Sequence, residues 1–184
     1  MKIAKKKNII TSYDSNFRAK LWTAEQCGEF LKEVLNYIDI GFLGDLDITK
    51  LLNFESNFTG DYIDYLKELY AKLNKMYPNI KYIASTKREI ESANINLLTG
   101  YIYMNGEIKS SPKYKFDILD RVGGGDAFSA GVLHGIIRNK NLDDIINFAT
   151  VASIFKHSYK GDINYCVEED IEMFIKNGIL AIGR

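Results

Sequence analysis

Cysteine, histidine, proline and tryptophan are scarce in this chain: two, two, two and one among 184 residues. Cys27 and Cys166 stand far apart, with no Cys-x-x-Cys or Cys/His ligand spacing. That argues against both a structural zinc site and a disulfide framework. Neither His134 nor His157 has a metal-binding partner four residues on. No apolar run approaches a membrane span, and the N-terminus lacks a signal-peptide core, so a cytoplasmic protein with reduced thiols and no membrane partner is expected. An excess of one charge is lacking too. Lys+Arg and Asp+Glu both number 24, which gives no global pull toward nucleic acid. The short cluster Lys5-Lys6-Lys7 reads as a solvated tail. Two phosphate-binding fingerprints are also absent: no Gly-x4-Gly-Lys-Ser/Thr and no Gly-x-Gly-x-x-Gly occurs.

What is present suits one globular domain over residues 1–184. The chain is 46% hydrophobic and 26% charged, and its length allows a substantial core. Asn8 to Tyr13 reads as a strand. Thr23-Ala24-Glu25-Gln26 has the form of a capping box. The helix after it is expected to place Phe30, Val34, Leu35 and Ile38 on one face. Ile40 to Leu43 reads as a buried strand. Asp61 to Tyr77 is the strongest helix, with Tyr62, Leu66, Leu69, Leu73 and Met76 recurring every three or four residues until Pro78 stops it. Ile80 to Ala84 returns as a strand. This alternation predicts parallel strands with helical crossovers, hence an α/β fold. Asn105-Gly106 between two alternating runs predicts a hairpin. Tyr114 to Leu119 is a further strand. Helices follow over 126–138, 142–158 and about 167–176.

The most informative stretch is Asp120-Arg121-Val122-Gly123-Gly124-Gly125-Asp126-Ala127-Phe128-Ser129-Ala130-Gly131, where a strand gives way to a helix. Three glycines let backbone approach a ligand closely and take up positive φ. The free N–H groups of the first helical turn and the positive end of its dipole make an anion site. A carboxylate beside a phosphate is an odd choice unless it accepts a proton from a hydroxyl, the task of a base in phosphoryl transfer. The other reading is plain: Asp126 N-caps the helix and the glycines make a tight turn.

That stretch resembles the signature of the ribokinase-like (PfkB-type) carbohydrate kinases, in the version most like 2-keto-3-deoxygluconate kinases. Asp14-Ser15-Asn16-Phe17-Arg18 with Leu21-Trp22 resembles the family's D-x-N-x-R strand end. Lys156-His157-Ser158-Tyr159-Lys160-Gly161-Asp162 resembles its Lys-His-Thr-x-x-Gly-Asp turn. The resemblance runs along nearly all of the chain. It implies a three-layer α/β/α sheet, here the C-terminal, nucleotide-binding portion without the N-terminal strands and β lid. It also implies ATP and Mg2+ as cofactors and a sugar or sugar acid as substrate. The alternatives are a non-catalytic nucleotide-binding remnant and one half of a split kinase. For the substrate, the alternative is a neutral sugar such as fructose or ribose.

Residue by residue, the resemblance makes Asp126 the general base and the amides of Gly123, Gly124 and Gly125 an anion hole. The resemblance also sets Asn16 and Arg18 at the family's strand end beside sugar and ATP. Arg18 has the chemistry to hold a carboxylate, and Asp162 contacts substrate. Ser85-Thr86-Lys87 takes the place of the ATP-binding strand end. Lys87 and Arg88 either pair phosphates or are exposed loop charges. Thr150 is either an adenine-pocket residue or core, and His157 is a structural or pocket-wall residue.

Two departures stand out. The family's N-x-x-E pattern is replaced by Asp45-Leu46-Asp47-Ile48, which leaves Asp45 and Asp47 as the metal candidates and an aliphatic residue where an acid is expected. The family is also roughly twice as long, so a truncated product or a separately supplied lid half is expected, and an exposed sheet edge would favour a homo-oligomer.

Overall fold

In a computed structural model, residues 1–56, 58–92 and 94–178 are described. The elements run α1 (Lys2–Lys6), β1 (Ser12–Asp14), α2 (Ala24–Val34), β2 (Ile40–Phe42), α3 (Tyr62–Met76), β3 (Tyr82–Ile90), β4 (Ile95–Met104), β5 (Glu107–Ser110), β6 (Tyr114–Asp117), α4 (Gly124–Ile137), α5 (Leu142–Lys156) and α6 (Glu168–Asn177). The strands form a six-stranded mixed sheet in the order β1-β2-β3-β4-β5, with β6 paired to β4. β1, β2 and β3 are parallel, and β6 is antiparallel to β4. Contacts divide the chain into two compact units. The first holds Met1–Ser85 and Ile102–Ile108; the second holds Thr86–Tyr101 and the residues from Lys109 onward.

In the first unit α2 begins on the expected capping box. The Thr23 hydroxyl accepts from the Gln26 amide at 3.2 Å, and the Gln26 side chain accepts from the Thr23 amide at 3.0 Å. The buried face differs from expectation. Cys27, Leu31 and Val34 point inward with Leu35 and Ile38, while Phe30 is 45% exposed. Phe30 packs against Trp22 and Tyr13 at the rim instead. α3 buries Leu66, Leu69, Tyr70 and Leu73, each contributing about 1.5–3 kcal/mol of transfer free energy. Met76, in the last turn, is exposed. The Tyr70 hydroxyl donates to the Leu43 carbonyl at 2.9 Å and meets Ser85 Oγ at 2.7 Å, tying the helix to the end of β2 and to β3.

The N-terminus is no solvated tail. Lys2–Lys6 is helical, and Lys5 Nζ reaches the buried Asp39 carboxylate at 2.8 Å. Ile9 and Ile10 are exposed, and the strand starts only at Ser12.

The hairpin between β4 and β5 turns on Asn105 (φ 50°) and Gly106 (φ 84°), both in the left-handed region that a type I′ turn demands, on the stretch that belongs to the first unit. The second unit holds the C-terminal helices. α4 and α5 pack almost backbone to backbone. A Cβ on Gly131 would stand 2.6 Å from Ala149 Cα, and one on Gly135 would stand 2.6 Å from Ile145 Cγ1. Ile154 of α5 packs with Leu98 of β4 and Phe116 of β6.

Candidate active site

The second unit holds the glycine turn. Gly123 is the N-cap of α4 with φ 80°, and no side chain caps the helix. Asp126 is exposed in the first turn and makes no hydrogen bond to the described residues, so it is not the N-cap. The capping alternative is thereby set aside. Of the first amides, Gly124 N–H reaches only the Arg121 carbonyl, at 3.5 Å. The Gly125 and Asp126 amides meet no acceptor among the described residues, as expected of N-terminal helical donors. The result is an open array of N–H groups with a carboxylate at its edge.

Behind this array the packing is tight. His157 lies against Gly124, and its Nδ1 is 2.6 Å from the Ser153 carbonyl. That contact makes Nδ1 the protonated nitrogen. Ser153 Oγ donates to the Gly124 carbonyl at 2.8 Å. Burial pushes the His157 pKa down, opposed by the bond to Ser153 and reinforced by Arg88, Lys156 and Arg121. His157 is therefore a neutral, structural wall of the turn. Phe116 stands edge-on to it at 5.0 Å.

Asp120 staples the loop over 157–162 to the turn. One oxygen accepts from Val122 N–H at 3.0 Å and the other from Gly161 N–H at 2.8 Å, bonds that together hold its carboxyl below the usual range. The Asp162 carbonyl passes 2.8 Å from where a Gly123 Cβ would stand, while the Asp162 side chain is exposed. Thus Gly123, Gly124, Asp162 and His157 come together around the start of α4. The sequence reading assigned no role to Asp120, Ser153 or Lys156. The spacing of Ser153 in α5 and His157 at its C-cap, four residues apart, was the available signal.

Thr86, Lys87 and Arg88 lie within β3, which continues to Ile90, and not in a loop. Thr86 is exposed and Lys87 half-buried. Arg88 feels Arg121, which after burial lowers its pKa. Thr150 is fully buried, donates to the Ile146 carbonyl at 2.7 Å and fills the space beside Gly100. It is core and not a base-contacting residue.

The first unit carries its own polar cluster at the strand ends. Asn16 has φ 35°, and its amide donates to Asp14 at 3.0 Å. Arg18 is exposed. Asp47 starts a π-helical turn and accepts from Gly44 N–H at 2.7 Å. Burial raises its pKa, with Ser15 and Gly44 opposing and Asp14 and Asp45 adding to the rise. Ile48 is fully buried, so Asp47 is the acid that reaches this cluster. Among the described residues no three His, Cys, Asp or Glu side chains gather as a metal cage.

A family profile for the pfkB family carbohydrate kinases matches residues 1–170. The chain belongs to that family. Among pfkB relatives, the 2-dehydro-3-deoxygalactonokinase of Haloferax volcanii is 20% identical over 95% of this chain and 49% of its own length. A solved pfkB family carbohydrate kinase from Listeria grayi is 37% identical with a TM-score of 0.88, over 96% of this chain and 53% of that one. The 2-dehydro-3-deoxygluconokinase structure from Thermotoga maritima is 30% identical with a TM-score of 0.89, over 95% and 52%. The chain therefore spans about half the length of the pfkB relatives it matches. Its mixed sheet with helices is the ribokinase-like fold of that family.

Proposed function

We propose that this chain is the nucleotide-binding portion of an ATP-dependent sugar-acid kinase of the 2-keto-3-deoxygluconate type. The observation that carries the reading is the uncapped start of α4: free amides at Gly125 and Asp126 beside an exposed, unengaged carboxylate. Such a turn receives phosphate on its amides and leaves Asp126 to accept the proton of an attacking sugar hydroxyl. Gly123, Gly124 and Gly125 line the anion hole. Thr86, Lys87 and Asn16 serve the nucleotide, while Arg18 and Asp162 serve the sugar acid.

Magnesium would enter with the nucleotide. It takes few protein ligands besides phosphates and water, which suits a chain whose carboxylates Asp45 and Asp47 form no cage. When bound it neutralises phosphate charge. Residues 1–184 act in this reading as one nucleotide-binding part of a cytoplasmic kinase that works as a homo-oligomer or with a lid-bearing half.

The test is phosphorylation of a panel of sugars and sugar acids by the chain alone and with the remaining half of a relative supplied. Sugar phosphorylation is expected only with the lid half present, because phosphoryl transfer depends on positioning and exclusion of water. In that restored enzyme Asp126→Asn is expected to cut turnover by about 10²–10⁴-fold with ATP affinity retained. Undiminished turnover of Asp126→Asn would refute the base.

A further inference from the structure

Lys156 closes α5 with its side chain fully buried. Its Nζ donates to the Tyr159 carbonyl at 3.0 Å, and no carboxylate of the described residues stands within ion-pair distance of 4.0 Å. An ammonium carries three donors, and a buried charge ordinarily demands an opposite charge beside it. Asp120 feels the Lys156 charge, but both oxygens of that carboxylate are already engaged by the Val122 and Gly161 amides. Lysines usually keep their heads in water; this one does not.

Its position is the informative point. Lys156 Cε lies 3.2 Å from where a Cβ on Gly123 would stand. The charge therefore lies against Gly123, the cap residue of the helix whose first amides are free. In a low-dielectric interior such a charge acts through several ångströms of protein. It also adds to the positive end of the α4 dipole.

Resting on the reading of the glycine turn as a phosphate site, we propose that Lys156 is the buried counter-charge of that site. Its ammonium stabilises the negative charge of a bound di- or triphosphate from beneath Gly123, without touching it. The alternative is a C-terminal clasp for α5 made through the Tyr159 carbonyl. A clasp would set stability alone and leave phosphate affinity unchanged.

Calorimetric titration of the 184-residue chain with inorganic tripolyphosphate, and separately with adenosine, divides the two. Lys156→Met keeps the length of the chain and removes the charge. It is expected to weaken tripolyphosphate binding about tenfold or more and to leave adenosine binding as it was. Equal tripolyphosphate affinity in folded wild type and Lys156→Met overturns the role of Lys156 and leaves the phosphate site standing. No tripolyphosphate binding by wild type overturns the phosphate site and this inference with it. If Lys156→Met does not fold, the Lys156 ammonium resonance of wild-type protein labelled with 15N-lysine takes its place. That resonance must move on saturation with tripolyphosphate; a stationary resonance refutes the proposal.

Discussion

The imidazole of His157 fills the space that any side chain on Gly124 would need. Its Cε1 lies 2.4 Å, and its Nε2 2.8 Å, from the point a Cβ would occupy. Gly124 opens α4 and His157 is the C-cap of α5, so the spacing of the two helices is read out at the glycine turn.

The three glycines of the turn should therefore differ sharply. Gly124→Ala drives a methyl into the imidazole and is expected to cost about 1–3 kcal/mol. Gly125 has nothing within 4 Å of its missing Cβ and sits in helical backbone. Gly125→Ala should be neutral or stabilising by up to about 1 kcal/mol. Urea denaturation of the two variants checks this, and equal losses would contradict the packing described.

His157 should impose a pH dependence on stability. Its folded pKa lies below the ordinary value, first because burial disfavours the charged ring. The unfolded chain then binds more protons, so the contribution of neutral His157 is complete above about pH 6.5 and is lost as pH falls toward the folded pKa. Stability measured from pH 7.5 to 5 should fall more in wild type than in His157→Phe. Parallel curves would show that His157 does not carry the effect.

Asp39 should govern the acid limb below that. Burial alone would raise its pKa, but Lys5 and Thr11 outweigh burial and the net shift is downward. Its contribution is thus present above about pH 4 and lost as pH drops through the depressed value. Lys5→Met removes the closer of the two lysines that face Asp39 and leaves only Lys81, at 4.0 Å, to oppose burial by charge. The variant should lose about 1–2 kcal/mol at neutral pH and begin its acid unfolding at higher pH than wild type.

Asn96 offers a gain. It is fully buried in β4, and neither atom of its side-chain amide meets a partner among the described residues. Buried polar groups of this kind cost about 1–3 kcal/mol. Asn96→Leu has similar bulk and faces the same side of the sheet as Phe116, its register partner. A raised thermal midpoint is expected, and a lowered one would reveal a polar role for the amide.

Much of this was legible before any coordinates. The capping box at Thr23 and the hairpin at Asn105-Gly106 are local devices, set by side-chain reach and by φ, and both form as read. The start of α4 at the glycines was likewise visible, because a strand-to-helix break needs such residues. What failed depended on neighbours distant in sequence. Phe30 follows helical periodicity yet finds aromatic partners at the rim, and β3 runs on to Ile90 because β4 lies beside it. Nor could the sequence show that Asp47 opens a π-helical turn and accepts from the Gly44 amide while Ile48 goes into the core. Nothing in a Lys-His dipeptide announces that the lysine will be fully buried; only the docking of the 157–162 loop on the turn brings that about.

The seating of Gly131 on Ala149 has a consequence for descent. With no side chain on Gly131 to hold α4 off Ala149, a change of size in either helix is felt at once by the other. Gly131 is five residues from Asp126, about 7.5 Å along the helix. One added methyl at that joint would be a wedge, turning a change in the core into a displacement of the carboxylate. Drift at position 131 is thus bounded by what stands at 149. Relatives that enlarge one of the pair should be found to have carved space at the other.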